Sequence, residues 1–157
     1  MKTNEFGLAE LISRGGVYKG VKGSTPREAL TALIDALPSS LREARLLEAV
    51  LEREALMSTG IGGGIALPHP RNPLVQSESE QFAALAFLER AVDWNSLDGE
   101  KVDTLLLIVS SSAKLHLQTL SVINYFCRQE NFCRLLRERA AGEEIISFIN
   151  EAEKNWR

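Results

Sequence analysis

The spacing of hydrophobic residues in the first third of the chain predicts both helices and a strand. Apolar residues recurring every three to four positions indicate helices over residues 7–13, 26–37 and 40–57. Valines at alternating depth predict a short strand over residues 16–21. The two longer helices each begin with a capping-box pattern, Thr25 to Glu28 and Ser40 to Glu43, and Pro38 ends the first of them.

The remaining pattern adds inner strands and further helices. Two apolar runs of strand length, residues 81–89 and 101–110, predict strands covered on both faces, and a shorter strand is expected at 65–67. Asp98-Gly99 predicts a turn between the two long strands. Serines at 110–112 offer caps for a long helix that breaks near Glu130 and resumes through Arg139, and a last helix is predicted over 143–154. Alternating strands and helices indicate an α/β fold with helices on both faces of the sheet.

Size and charge narrow the class of protein. A chain of 157 residues has the length of one domain, and we expect a single domain over residues 1–157. The net charge of -3 provides no broad cationic surface, which argues against a nucleic-acid partner. No apolar run approaches the roughly 20 residues that span a bilayer, and the first ten residues contain no signal-peptide core, so a cytoplasmic protein is expected. Cys127 and Cys133 have the spacing of neither a zinc knuckle nor a redox pair, and we expect two core thiols.

The loop over residues 60–73 is the strongest functional signal. Its consecutive glycines, Gly62 to Gly64, permit close backbone approach to an oxyanion. No Gly-Lys-Ser/Thr follows, and the glycine spacing does not fit a dinucleotide fingerprint, so the loop is not a nucleotide site. His69 is held between Pro68 and Pro70, which restrict the backbone on either side of it. Such a constrained imidazole indicates a functional residue more than a packing one.

The second histidine, His116, lies near the start of the long predicted helix. The partial positive charge of a helix N-terminus favours a neutral imidazole and a bound anion, so His116 is either a neutral donor to a phosphoryl oxygen or a solvent-exposed helix residue. With two histidines and no cysteine cluster, neither a metal site nor a cofactor is expected. A serine hydrolase is also excluded, because the chain has no Gly-x-Ser-x-Gly elbow.

The segment from Arg53 to His69 closely resembles the IIA domain of the phosphotransferase system, in its fructose, mannitol and nitrogen-regulatory family. The motif consists of the sequence STGIG at 58–62 followed by IALPH at 65–69. A second block, HLQTLS at 116–121, is similar to the family segment around its second active-site histidine. The resemblance extends from about Leu8 to the last helix. It implies a mixed, roughly five-stranded sheet between helices.

The resemblance also implies a phosphotransferase with a phosphohistidine intermediate. His69 would receive the phosphoryl group from a histidine phosphocarrier protein, while His116 and Arg53 would stabilise it. Without the motif, Arg53 would instead be interpreted as a solvated partner of Glu52 or Glu54 on a helix surface. The further phosphate-contacting candidates are two hydroxyl residues and two glycines, namely Ser58, Thr59, Gly60 and Gly62. The two hydroxyl residues either donate to the phosphate or only end the preceding helix.

Two branches of this family remain open. The chain has no membrane-spanning segment, IIB domain or helix-turn-helix region, which favours a nitrogen-type regulatory role in which phosphorylation controls protein binding. Fructose or mannitol-type sugar uptake is the alternative, with a IIB domain as the acceptor. A different class is a binding module that senses a small anion without covalent modification. The sequence indicates neither the downstream target nor the oligomeric state.

Overall fold

The computed structural model describes residues 7–156, and its hydrogen bonding defines five strands and six α-helices within them. The helices are α1 (Leu8–Gly15), α2 (Pro26–Ala36), α3 (Leu46–Leu56), α4 (Ala113–Cys127), α5 (Glu130–Arg137) and α6 (Gly142–Lys154). The strands are β1 (Val17–Val21), β2 (Gly60–Gly62), β3 (Ile65–Ala66), β4 (Phe82–Val92) and β5 (Val102–Val109). Short 3-10 turns occur at Ser39–Leu41 and Glu78–Glu80.

The sheet is mixed, with the strand order β1-β4-β5-β3-β2. The central pair β4 and β5 is antiparallel, as is the pair β2 and β3 at one edge. In contrast, β1 runs parallel to β4, and β3 runs parallel to β5. The α/β fold with a mixed, five-stranded sheet is therefore confirmed.

Both faces of the central strands are buried, as continuous apolar runs predict. Alternate residues of β4 contribute to opposite cores, because successive side chains of a strand point to opposite faces. Phe82 packs with α2 and α3, whereas Leu85 and Phe87 pack with α1 and the three C-terminal helices. Helices on both faces of the sheet are thus confirmed.

Several local predictions are also confirmed by the structure. The hydroxyl of Thr25 accepts a hydrogen bond from the amide of Glu28 at 3.1 Å, and Pro26 is the first helical residue of α2. The break near Glu130 separates α4 from α5. Gly99 has a φ of 74° and donates its amide to the Ser96 carbonyl at 3.0 Å, which forms the expected turn.

The predicted helix start at Ser40 is wrong. Ser40 lies in a 3-10 turn, and α3 begins only at Leu46. The reason lies in Glu43, whose carboxylate accepts the amide of Arg45 at 2.8 Å and does not reach back to Ser40. A capping box occurs instead at Ser77 to Glu80, where no helix start was predicted.

The glycine-rich segment forms a β-hairpin at the sheet edge, where the sequence predicted a shaped loop around a single strand. Gly60 pairs with Ala66 and Gly62 pairs with Ile65. Between them, Gly63 has a φ of 65°, a left-handed conformation that suits glycine in a tight turn. Because β2 runs antiparallel to β3, the hairpin brings Thr59, just before β2, next to Leu67, just after β3.

Candidate phosphoryl-transfer site

His69 lies just beyond the C-terminal end of β3. The carbonyl of Pro68 accepts the amide of Ile108 at 3.0 Å, so the parallel pairing of β3 with β5 continues up to the residue before the histidine. Pro70 follows and is buried, which holds the backbone on both sides of His69. The imidazole is half-buried at this end of the sheet.

One ring nitrogen of His69 is engaged by the protein backbone. Its Nδ1 atom lies 2.8 Å from the carbonyl oxygen of Leu67. A carbonyl oxygen can only accept a hydrogen bond, so Nδ1 carries the proton of the neutral ring. The lone pair is therefore on Nε2, the nitrogen that can act as a nucleophile.

His116 reaches the same place from the helix that follows β5. The α4 helix begins after Ser112, whose hydroxyl accepts the amide of Leu115 at 3.1 Å, and the His116 amide donates to the Ser112 carbonyl at 3.0 Å. The rings of His69 and His116 lie 4.5 Å apart between centroids, with an interplanar angle of 41°. Strands β3 and β5 are parallel neighbours, so the segments that follow them emerge at the same edge of the sheet.

Both imidazoles are neutral at physiological pH. Burial is the main cause that lowers the pKa of His69 below 6.5, and the positive charge of Arg53 lowers this pKa further. The hydrogen bond to Leu67 and the negative charge of Glu54 raise the pKa, but they do not cancel the effect of burial. The pKa of His116 falls from 6.5 to about 4, first through burial and then through repulsion by a protonated His69 and by Arg53. A neutral His69 retains its nucleophilic lone pair, and a neutral His116 can donate one N–H.

Arg53 lies in the last turn of α3, and its positive charge acts on both histidines. Its guanidinium donates to the carbonyl of Met57 at 2.7 Å, which satisfies one of the free carbonyls at the helix end. Among the described residues, neither neighbouring glutamate forms an ion pair with Arg53. Within residues 7–156, its other guanidinium nitrogens make no hydrogen bond to the protein, and they are suited to a phosphoryl oxygen.

The two hydroxyl candidates have acceptors within the protein. Ser58 donates its hydroxyl to the carbonyl of Trp94 and accepts the Gly60 amide at 3.1 Å. Thr59 is buried, and its hydroxyl donates to the carboxylate of Glu54. The structure therefore gives both side chains a role at the junction of α3 and β2.

The two glycine candidates occupy different parts of the hairpin. Gly60 follows this junction, and a Cβ atom placed on it would lie 2.0 Å from Oγ of Ser96, so a glycine is required by close approach. Gly62 lies at the turn of the hairpin, three residues along the strand from Thr59, and a Cβ there would lie 3.1 Å from the Asp98 carboxylate. The turn points away from the end of β3 that carries His69, and a carboxylate beside it repels an anion.

Glu54 is a residue that sequence reasoning missed. Its carboxylate accepts both the amide and the hydroxyl of Thr59, five residues further along the chain. The only sequence signal was its place next to Arg53, which was interpreted as a surface ion pair.

A shallow cavity of about 200 Å³ opens beside His116. The turn that follows His69 forms one wall, with Pro70, Arg71 and Pro73, and the start of α4 forms the other. Leu117, next to His116 on α4, is 64% exposed, and Met57, whose carbonyl accepts the Arg53 guanidinium, is 71% exposed. The surface around the site is therefore open and partly apolar, as contacts with another protein require.

Within residues 7–156, no cluster of three or more histidine, cysteine or carboxylate side chains is arranged to hold a metal ion. No helix in that part of the chain is long and apolar enough to cross a membrane.

Comparison with known proteins gives a consistent result. The family model for the phosphoenolpyruvate-dependent sugar phosphotransferase system, EIIA 2, matches residues 10–152. The nitrogen regulatory protein of Escherichia coli K12 is 31% identical over 150 residues, which cover 93% of this chain and 91% of that protein. The fructose-specific EIIABC component of Bacillus subtilis is 33% identical over 152 residues, which cover 94% of this chain but 24% of that protein.

Among solved structures, the chain resembles the Escherichia coli complex of enzyme IIA-mannitol with phosphorylated enzyme IIB-mannitol. The TM-score is 0.67 at 18% identity, and the match covers 86% of this chain and 94% of that chain.

Proposed function

Because the chain belongs to the EIIA 2 family of the phosphoenolpyruvate-dependent sugar phosphotransferase system, we propose that it is a phosphocarrier that accepts a phosphoryl group on Nε2 of His69. The observation that carries the assignment is the pair of contacts made by this ring. Leu67 holds Nδ1 at 2.8 Å, and His116 lies 4.5 Å away between ring centroids.

The transfer step follows from the tautomer of His69. The Nε2 lone pair attacks phosphorus, and the bond from phosphorus to the donor nitrogen breaks with its electron pair leaving on the donor. The Nδ1 proton stays in place, so the phosphorylated ring becomes an imidazolium whose N–H still donates to the Leu67 carbonyl. Reversal of this step on a second acceptor releases a neutral His69 with its proton unmoved. No general base is required.

Arg53 and His116 supply stabilisation of the transferred group. Phosphoryl transfer depends mainly on positioning and on neutralising charge on the equatorial oxygens. Arg53 offers a permanent positive charge from the end of α3. His116, neutral because its pKa is about 4, offers a donor N–H from the first turn of α4 without adding positive charge. Both lie on helices, which favours a preorganised site.

The donor in this proposal is a histidine phosphocarrier protein. Leu117 lies beside His116 and is 64% exposed, and Leu56 and Met57, at the end of the helix that carries Arg53, are 60% and 71% exposed. Arg71, in the turn after His69, adds positive charge near the cavity. Such a surface suits docking of a protein that delivers an anionic group, and a IIB domain is the matching acceptor class because the resembling mannitol structure is a IIA–IIB complex.

The test is phosphorylation with purified components. The chain is incubated with phosphoenolpyruvate, enzyme I and the histidine phosphocarrier protein, and its intact mass is measured. The expected result is a gain of one acid-labile phosphate that is absent from His69→Ala, with His116→Ala as a matched histidine variant that still gains it. No gain with active donors contradicts the proposal and favours a non-covalent anion-binding module.

For the downstream step we propose a nitrogen-type regulatory role, supported by the similarity over 93% of the chain to a nitrogen regulatory protein. Phosphorylation places a phosphoryl group of up to about 2 negative charges at the surface around His69, partly offset by the positive imidazolium ring, and this change is enough to block or create a protein contact. The test compares the proteins retained from the source cell extract by the phosphorylated chain and by His69→Ala, each retained protein then being identified and its binding measured with pure components. Identical binding constants for both forms contradict a regulatory readout.

Sugar uptake is the second candidate, supported by similarity to a fructose-specific component. The phosphorylated chain is mixed with purified IIB domains of the fructose and mannitol classes, and transfer of label is followed. Rapid transfer to one IIB domain favours uptake, whereas loss of label only by slow hydrolysis excludes these acceptors.

A further inference from the structure

The carboxylate of Glu54 binds Thr59, which lies three residues beyond the end of α3. It accepts the Thr59 amide at 2.7 Å through one oxygen and the Thr59 hydroxyl through the other. Thr59 is only 6% exposed, and buried donors need partners within the protein. The Glu54 side chain provides the partner for both the amide and the hydroxyl of Thr59. Hydrogen bonds to a charged acceptor are the stronger kind, and two of them fix the position of Thr59 relative to α3.

Thr59 in turn determines the position of the backbone next to His69. Its carbonyl accepts the Leu67 amide at 3.0 Å, one step beyond the pairing of Gly60 with Ala66. The carbonyl of the same Leu67 accepts Nδ1 of His69 at 2.8 Å. A continuous set of contacts therefore leads from Glu54 through Thr59 and Leu67 to the imidazole.

The location of Glu54 is unfavourable on electrostatic grounds alone. Its negative charge acts on His69, the group that receives an anionic phosphoryl group. The carboxylate is directed at Thr59, and the positive Arg53 precedes it on the same helix end. Both oxygens of this carboxylate bind a single residue although its charge acts on the phosphate acceptor, which indicates that Glu54 serves to hold Thr59 in place.

We propose that Glu54 is a positioning residue for phosphoryl transfer: through Thr59 it fixes β2 against β3 and thereby holds the Leu67 carbonyl against Nδ1 of His69. The inference rests on the function proposed above and extends it. Glu54 does not touch the phosphoryl group. It keeps His69 in the tautomer and orientation that expose Nε2.

The first test uses Glu54→Ala with Glu52→Ala as the matched control. Glu52 is exposed and lies on the same helix. Within residues 7–156, its side chain makes no hydrogen bond. The readouts are the ring-nitrogen NMR shifts of His69, which report the tautomer, and the rate of phosphate uptake at limiting donor. Misplacement of a reacting group by roughly 1 Å costs up to about 100-fold in rate, so we expect uptake by Glu54→Ala to slow by about 10- to 100-fold.

The tautomer readout separates positioning from general stability. In Glu54→Ala the His69 shifts should move toward a mixture of Nδ1–H and Nε2–H forms, while the wild type and Glu52→Ala keep a single Nδ1–H form. The final extent of phosphorylation should equal that of the wild type, because the acceptor itself is unchanged. An unchanged tautomer and an unchanged rate in folded Glu54→Ala would overturn the proposal.

Conservative variants keep the test decisive if Glu54→Ala folds poorly. In Glu54→Gln the amide oxygen can accept the Thr59 amide, and the side-chain NH₂ can donate to the Thr59 hydroxyl, so geometry is retained without the charge. We expect Glu54→Gln to keep the Nδ1–H tautomer and a rate within about threefold of the wild type, because the two weaker, neutral hydrogen bonds still hold Thr59 in the same position. A Glu54→Gln rate as slow as that of Glu54→Ala would show that the charge matters and not the positioning.

A double-mutant cycle identifies Thr59 as the intermediary. Thr59→Val removes the hydroxyl but keeps the amide, so its rate should fall less than that of Glu54→Ala. Adding Thr59→Val to Glu54→Ala should cause little further loss, because the shared contact is already absent. Fully additive losses would exclude the Glu54–Thr59 contact as the route. These outcomes differ from a failure of the proposed function, in which even the wild type gains no phosphate while the tautomer comparison still reports on Glu54.

Discussion

The imidazole rings of His69 and His116 lie 4.5 Å apart, although 46 residues of chain separate them. The contact arises because β3 and β5 are parallel neighbours, one ending just before His69 and the other just before the helix that carries His116. Neither ring is charged at neutral pH, so the pair brings together one lone pair and one N–H donor without repulsion. This is a suitable arrangement for accepting and stabilising a phosphoryl group.

The first prediction concerns His116. We expect His116→Ala to accept phosphate on His69 but to transfer it to an acceptor about 100-fold more slowly, the usual cost of removing one donor that stabilises developing charge. Rapid-quench measurement of transfer from the phosphorylated variant gives the rate.

Gln118→Ala, at an exposed position two residues further along α4, serves as the control for local disturbance of the helix. A transfer rate for His116→Ala equal to that of the wild type would remove His116 from the site.

The second prediction concerns pH. The unperturbed pKa of 6.5 applies to the unfolded chain, whereas the folded pKa of His116 is about 4. Between these values the unfolded state binds a proton that the folded state does not, so the free energy of unfolding falls as the pH is lowered from about 6.5 to about 4. Urea unfolding of the wild type and of His116→Gln at several pH values in this window provides the measurement.

The loss of stability on acidification should be smaller in His116→Gln, because this variant lacks one of the groups with a lowered pKa. NMR titration of the wild type should show the His116 ring still neutral at pH 5.5. A midpoint near 6.5 would contradict the burial of this ring.

The third prediction concerns Arg53. Removing its charge should slow phosphoryl transfer by about 10- to 100-fold, since a charge-assisted hydrogen bond contributes roughly 1.5 to 3 kcal/mol. The same substitution, Arg53→Ala, also removes the bond to the Met57 carbonyl and should lower the free energy of unfolding by about 1 kcal/mol. Transfer kinetics and urea unfolding measure the two effects.

Arg53→Lys separates these effects, because lysine retains the charge but lacks the planar group that serves the Met57 carbonyl and a phosphoryl oxygen together. We expect the lysine variant to have an intermediate rate. Wild-type transfer in Arg53→Ala would show that Arg53 acts only as a helix cap.

The fourth prediction concerns the close approach of Gly60 to Ser96. A Cβ on Gly60 would lie 2.0 Å from Oγ and 3.0 Å from Cβ of Ser96, so Gly60→Ala should destabilise the fold by about 1 to 3 kcal/mol. Ser96→Ala alone should be nearly neutral, because the buried Ser96 hydroxyl has no hydrogen-bond partner to lose among residues 7–156. Urea unfolding of the two single variants measures both values.

The double variant Gly60→Ala with Ser96→Ala should recover part of the loss, since the shorter contact is then relieved. Strictly additive values would show that the two residues do not collide.

The elements predicted well from the sequence are those with strong local signals. The α2 helix has a hydroxyl cap, a proline at its first position and apolar residues at helical spacing, and each of these acts locally. The strands β4 and β5 are continuous apolar runs that only a sheet covered on both faces can bury. The β2 strand was missed because Gly-Ile-Gly has little intrinsic preference for a strand, and its pairing depends on the neighbouring β3.

Only part of the candidate site could be predicted from the sequence. His69 was indicated by its flanking prolines, whereas the roles of His116 and Arg53 came from the family resemblance. Pattern alone could not show that Glu54 binds Thr59, because that contact forms where a helix ends and the chain turns into an edge strand. It likewise gave no means of choosing between Nδ1 and Nε2 of His69, a choice that depends on the carbonyl of Leu67.

The edge position of β2 has a consequence for local opening of the protein. The strand pairs on one side only, is three residues long and is followed by an exposed hairpin turn. Fraying of β2 breaks the bond between Thr59 and Leu67 but leaves the central strands β4 and β5 paired, so it needs much less free energy than global unfolding. Amide exchange at Leu67 should therefore be faster than at Leu106, and mild denaturant should abolish phosphate acceptance before the core melts.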